Sequence, residues 1–205
     1  MNRKEHWEKV FSSKRTDDVS WYQKNPKDSL SFFRELHIPL DASVIDVGGG
    51  DSLLVDHLLD LGYEHITVLD ISEAAINRAK TRLGNMANKV NWIVADILDL
   101  NLDAEFDCWH DRAAFHFLTT ETAINDYLAV ANRQIKPGGK LIMGTFSTAG
   151  PEKCSGLAVK QYDENTIINT LHGWFRKIRC ITTDHITPFN TIQNFLFCSF
   201  QKLST

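Results

Sequence analysis

Between Ser43 and Phe146, short β-branched runs alternate with apolar residues at helical spacing, a pattern that few architectures accommodate. Ser43-Val44-Ile45-Asp46-Val47 reads as a strand closed by three glycines, and Leu54, Leu58 and Leu61 follow on one helical face that stops at Gly62. His65 to Leu69 is a second strand, followed by the stripe Ala75, Ile76, Ala79 and Leu83 up to Gly84. Val90 to Ala95 and Phe106 to His110 are the third and fourth. Ile124, Tyr127, Leu128, Ala131 and Ile135 make a further amphipathic helix, which Lys136-Pro137-Gly138-Gly139 breaks before the strand Lys140 to Phe146. Strand–helix alternation of this kind gives right-handed βαβ units on a mostly parallel sheet. The end of the chain departs from it. After a helix over Glu164 to Leu171, the runs Lys177 to Ile186 and Ile192 to Phe200 are joined by a turn holding Pro188 and Asn190. That turn is too short for a parallel crossover, so an antiparallel pair is expected. Residues 1–41 contain no glycine and suggest two helices either side of Ser20-Trp21-Tyr22-Gln23, a helical cap ahead of a core over 42–205.

A length of 205 residues suits one domain, and 43% hydrophobic with 23% charged residues is the balance of a globular protein. A net charge of −4 argues against bulk binding to nucleic-acid phosphates. No secretory h-region stands near Met1 and no run approaches a membrane span. Cys108, Cys154, Cys180 and Cys198 lack Cys-x-x-Cys spacing, and three lie in apolar, β-prone stretches, as reduced thiols do. The expectation is a soluble cytoplasmic protein, monomer or homodimer, without a nucleic-acid or membrane partner. The eight histidines show no paired metal spacing, so no metal is expected.

Chemistry concentrates where strands end. Asp46-Val47-Gly48-Gly49-Gly50-Asp51-Ser52 joins the first strand to its helix, and glycines there let backbone approach a ligand at the edge where open α/β sheets bind. Asp70 ends the second strand, placed to accept from both hydroxyls of a ribose. Asp96 ends the third, placed to accept from an adenine amino group. Ser72 offers the capping hydroxyl of the helix that follows. A nicotinamide site would want a third glycine where Leu53 stands, so a dinucleotide oxidoreductase ranks behind.

Val44-Ile45-Asp46-Val47-Gly48-Gly49-Gly50, Val68-Leu69-Asp70, Ala95-Asp96-Ile97 and Lys136-Pro137-Gly138-Gly139-Lys140-Leu141 resemble the motifs of class I S-adenosylmethionine-dependent methyltransferases over about residues 42 to 200. The resemblance implies a Rossmann-like, doubly wound seven-stranded α/β sheet with helices on both faces, S-adenosyl-L-methionine as cofactor and S-adenosyl-L-homocysteine as product. It further implies that Gly48 and Gly50 pass under the methionine moiety, Asp70 binds the ribose, Ile71 packs on the adenine, and Asp96 with the Ile97 backbone reads its edge. Ser52 stands where that family often has glycine.

On this reading, Cys108 to Leu118 meets the transferable methyl. His116, with an ordinary pKa suited to taking a proton, Asp111 and Tyr22 are the candidate catalytic groups; Tyr22, Asp46 and Asp111 would also touch the cofactor. Arg112, His116 and Cys154 are the candidate substrate contacts. His116 reads equally well as packing between Phe115 and Phe117, Arg112 as a partner for Asp111, and Cys154 as an ordinary loop cysteine. No Asn/Asp-Pro-Pro-Tyr/Phe follows the fourth strand, which argues against methylation of nucleic-acid bases or glutamine. A small-molecule acceptor is the first expectation. The alternatives are a protein lysine side chain, or a sensor that binds the cofactor without transfer.

Overall fold

The computed structural model describes residues 2–203. Helix α1 (Arg3–Ser13) opens on a capping box, with Asn2 accepting from the Glu5 amide and the Glu5 side chain accepting from the Asn2 amide, so its first turn forms without help from the sheet. Helix α2 (Lys27–Glu35) follows, then β1 (Ser43–Val47), α3 (Leu54–Asp60), β2 (His65–Asp70), α4 (Glu73–Leu83) and β3 (Val90–Val94). The chain continues through β4 (Phe106–Arg112), α5 (Glu121–Gln134), β5 (Ile135–Phe146), the short hairpin β6 (Lys153–Cys154) and β7 (Leu157–Ala158), α6 (Glu164–Leu171), β8 (Phe175–Ile186) and β9 (Ile192–Lys202).

Seven strands form one sheet in the order β3-β2-β1-β4-β5-β9-β8, with β5·β9 and β8·β9 antiparallel and the other pairs parallel. Alternation along each strand sorts side chains to the two faces. Ile45, Val47, Trp109, Leu141 and Phe200 bury against α5 and α6, whereas Val44, Val68, Cys108, Ile142 and Phe197 bury against α2, α3 and α4. Register aligns the strand ends that matter: Asp46 lies beside Val68 on one side and His110 on the other. Because β1 has β2 and β4 as its neighbours, chain direction through the sheet reverses there, and a crevice opens above β1.

Two local expectations shift, and the loop after β5 carries the β6–β7 hairpin. Strand pairing resumes at Ile135, opposite Phe106, before the Pro137–Gly139 bend, so α5 passes directly into β5. Cys180 and Cys198 are directly opposite on β8 and β9, their Cα atoms 4.1 Å apart, and are joined as a disulfide. The expectation of reduced thiols holds only for Cys108 and Cys154; spacing along the chain does not reveal a cross-strand register.

Candidate functional site

The crevice is a pair of adjoining cavities. The larger encloses about 830 Å3, open to solvent on one side, and is lined by Gly48, Asp70, Ile71, Asp96, Ile97, Arg112, Phe117 and Cys154 beneath Arg3, Trp7, Phe11 and Trp21. The second lies over the glycine loop, with Tyr22, Gln23, Ser29, Asp46, Asp51 and His110 on its wall. Phe11, Trp21, Gly48 and Arg112 border both.

The loop that shapes them is held to β2, where the Gly48 and Gly49 amides donate to the Leu69 carbonyl at 2.8 and 3.2 Å. Gly48 takes φ +66°, and a Cβ there would come within 2.6 Å of the Ala114 methyl. At Gly50, φ +50°, it would lie 3.0 Å from the Asp70 carboxylate and 3.2 Å from the Phe11 ring. A side chain at Gly48 would collide with the turn after β4 and one at Gly50 would crowd Asp70 and α1, so the glycines let these segments close on the loop.

Asp70 accepts from the Ser72 amide at 2.8 Å while Ser72 caps α4 by accepting from Ala75. Burial pushes the Asp70 carboxyl up to about 7, against the Ser72 amide that favours its charge and with the nearby Asp46 and Asp51 charges that oppose it. A buried carboxylate with spare lone pairs beside a slot is suited to the hydroxyls of a ligand. Asp96 accepts from the Leu98 amide at 3.1 Å and meets the Arg3 guanidinium at 2.7 Å, so this edge of the crevice is bracketed by α1. Asp46 is part of a buried chain: His110 Nδ1 is 2.7 Å from its carboxylate and His110 Nε2 is 2.8 Å from the Ser29 hydroxyl, linking β1, β4 and α2.

The cap is fastened at several points. Glu8 accepts from the Ser72 hydroxyl at 2.8 Å and from the Ala74 amide at 3.2 Å, placing an anion on the N-terminus of α4. Thr16 donates to Asp51 at 2.8 Å, and Arg78 donates to the Lys14 carbonyl. Above the crevice, Trp7 packs edge-on to Phe117 and Trp21, with ring centroids 5.0 and 5.8 Å away. Sequence reasoning missed the Arg3, Glu8 and Ser29 contacts. The capping-box pattern at Asn2 and Glu5 signals a helix but not what it docks on.

Of the expected site residues, the cavities gather Tyr22, Asp46, Gly48, Gly50, Asp70, Ile71, Asp96, Ile97, Arg112 and Cys154. Asp111 and His116 line neither. Asp111 is fully buried, accepting from the Ala114 and Phe115 amides at 3.0 Å and from the Tyr127 hydroxyl at 2.6 Å, which itself accepts from the Trp109 indole at 2.9 Å. Its role is to brace the turn after β4. His116 is fully buried between Phe117 and Phe146, and its Nδ1 accepts from the Phe146 amide at 3.2 Å. Burial, aided by the Arg112 charge, drives it down to about 3, so it stays neutral and takes no proton at neutral pH. Arg112 does not pair with Asp111; its Nη1 donates to the Trp21 carbonyl at 3.1 Å. Burial pushes the Cys154 thiol up to about 11, which makes it a neutral wall group.

Among the described residues no group of three or more His, Cys, Asp or Glu side chains is placed to hold a metal ion, and no helix is long and apolar enough to cross a membrane.

Residues 44–139 match a family model described as a methyltransferase domain. An "eEF1A lysine and N-terminal methyltransferase" of Mus musculus is 27% identical over 154 residues, 71% of this chain and 22% of its own length. An "uncharacterized methyltransferase" of Mycobacterium tuberculosis is 35% identical over 114 residues, 54% of each chain. The chain thus spans roughly a fifth to a half of these relatives. Among solved structures, the N-methyltransferase NodS of Bradyrhizobium japonicum, in complex with S-adenosyl-L-homocysteine, superposes with a TM-score of 0.72 at 17% identity, covering 99% of this chain and 100% of that one. Another, from work on the conversion of a disulfide bond into a thioacetal group during echinomycin biosynthesis, reaches 0.78 at 17% identity, over 98% and 93%. The sheet order agrees with that of these solved structures, and residues 44–139 are similar to a methyltransferase domain.

Proposed function

We propose that this chain is an enzyme that transfers the methyl group of S-adenosyl-L-methionine to a small molecule held under the helical cap of residues 1–41. The observation that carries the reading is the ordered row Asp46, Gly48, Asp70 and Asp96 around one crevice at the switch point of the sheet, roofed by Trp7 and Trp21. These residues fit the cofactor: the glycines let backbone approach closely at the sheet edge, and the buried Asp70 carboxyl would suit the hydroxyls of a ribose.

When bound, the cofactor supplies a sulfonium-activated methyl; the carbon–sulfur bond breaks as the bond to the acceptor forms, leaving S-adenosyl-L-homocysteine. Asp70 would accept from the ribose hydroxyls, Ile71 would pack on the adenine, and Asp96 with the Ile97 amide would read its edge. The polar wall of Tyr22, Gln23 and Asp46 would hold the amino-acid end, Asp46 itself being oriented by His110 and Ser29. Trp7, Trp21 and Phe117 exclude water, and their ring faces favour a cation. With His116 neutral and out of the cavity, the chain's contribution is alignment of the two reactants more than proton removal.

A lysine side chain is the second reading, favoured by the relatives whose printed names specify lysine. The Arg112 charge in the wall opposes an ammonium there. A sensor without transfer is separated by turnover, since it leaves the cofactor intact. The site belongs with a cytoplasmic protein acting as a monomer or homodimer.

Thermal melts with S-adenosyl-L-homocysteine, S-adenosyl-L-methionine and NAD test the cofactor. Ligand at 100 times its dissociation constant stabilises by about 2.7 kcal/mol, and for a chain of this size that raises Tm by roughly 5–10 °C. Shifts with the two sulfur nucleotides and none with NAD are expected. A shift with NAD alone overturns the reading.

A further inference from the structure

Arg112 is the one candidate site residue that the cofactor reading leaves without a partner. It is the last residue of β4, followed by Ala113 at φ +66°, a left-handed turn in a residue with a Cβ, which sends the chain away while the guanidinium stays at the crevice. The residue is half-buried with its Nε and Nη2 atoms closed to solvent, and burial lowers its pKa to about 10 against the opposing charges of Asp28 and Asp46. Nη1 donates to the Trp21 carbonyl, but Nε and Nη2 find no acceptor among the described residues, and no carboxylate there lies within salt-bridge distance. Charges acting only through space leave two N–H donors out of water without a hydrogen bond, which one carbonyl contact does not offset. Such a group calls for an anion in the cavity it borders.

The position of the charge says which anion. Asp70, the glycine loop and Asp96 lie at β1, β2 and β3, on one side of β4. The Arg112 guanidinium instead rests on the Phe195 ring of β9, 4.8 Å from its centroid, on the other side of β4 and beyond β5. Cys154 of the β6–β7 hairpin faces the same space. Arg112 therefore borders both cavities from the β5–β9 side of β4, away from Asp70 and Asp96. Its fork offers two spare N–H donors, which match a carboxylate.

We propose that the methyl acceptor is a small carboxylate-bearing molecule whose carboxylate seats on Arg112. The proposal rests on the methyltransferase reading above and names the substrate class of that same site. A negative charge there neutralises the buried guanidinium and stands near the sulfonium, so acceptor and cofactor favour each other's binding.

Benzoate and the uncharged benzamide are the probes, added to the protein saturated with S-adenosyl-L-homocysteine and followed by thermal melts and calorimetry. Benzoate is expected to raise Tm and benzamide not, with the benzoate effect abolished in Arg112→Gln while S-adenosyl-L-homocysteine affinity changes less than about threefold. Arg112→Lys keeps the charge without the fork and serves if the glutamine variant does not fold; it is expected to bind benzoate about three- to tenfold more weakly. Equal effects of benzoate and benzamide overturn the proposal. So does a loss of about tenfold or more in S-adenosyl-L-homocysteine affinity in Arg112→Gln, with its decarboxylated analogue binding both proteins alike, because the guanidinium then serves the cofactor's own carboxylate. If the unaltered protein fails to bind S-adenosyl-L-homocysteine, the underlying reading falls before the carboxylate arm begins, and the proposal falls with it.

Discussion

Asp70 shows how a ligand site strains the fold that carries it. Its carboxyl in the folded chain titrates near 7 against an ordinary 3.8, so the folded protein holds a proton that the unfolded chain has already released. That difference favours folding at low pH, and the benefit is lost as the pH rises from about 4 towards 7, leaving a buried charge above it. Asp70→Asn keeps the shape and removes the charge. At pH 8 it is expected to stabilise the ligand-free protein by about 2–4 kcal/mol, with little change at pH 4, in chemical denaturation. The same variant should bind S-adenosyl-L-homocysteine at least about tenfold more weakly in calorimetry, since an amide cannot accept from both ribose hydroxyls. A variant that is neither more stable at pH 8 nor weaker in binding removes Asp70 from the site.

At the scale of elements, α1 is docked by charged side chains, of which Arg3 also borders the crevice. Glu8 supplies acceptors to the Ser72 hydroxyl and the Ala74 amide, and Arg3 supplies the charge beside Asp96. Glu8→Ala leaves the first turn of α4 with fewer partners and is expected to cost about 1 kcal/mol, read as a lower urea midpoint at unchanged m-value. It should also weaken S-adenosyl-L-homocysteine binding, because the roof loosens with the helix; full affinity would show that α1 is packing alone. The main elements and the three strand-end acids were legible in the sequence because they depend on periodicities of two and 3.6 residues and on turns a few residues long. Contacts between distant segments were not. Nothing local in His116 tells that Phe146 donates to its ring or that Arg112 stands nearby, and nothing local in Cys180 tells that Cys198 faces it across two strands.

For the whole molecule, the crevice lies between a core that is continuous through the sheet and a cap held mainly by side-chain contacts. Ligand binding should therefore be read more strongly in the cap than in the core. Hydrogen exchange of α1 amides is expected to slow by about tenfold or more with S-adenosyl-L-homocysteine bound, while β1 and β4 amides, already buried in paired strands, change less. Equal protection throughout would mean that the cap opens only when the whole chain unfolds.

The ion pair between Arg3 and Asp96 carries a structural consequence. Asn2 and Arg3 stand at the Asp96 edge of the crevice, with the capping box of α1 beginning there. Loss of the Asn2 side-chain acceptor would loosen the first turn of α1 and, through Arg3, the wall beside Asp96, so a change at a helix end would be felt inside the crevice.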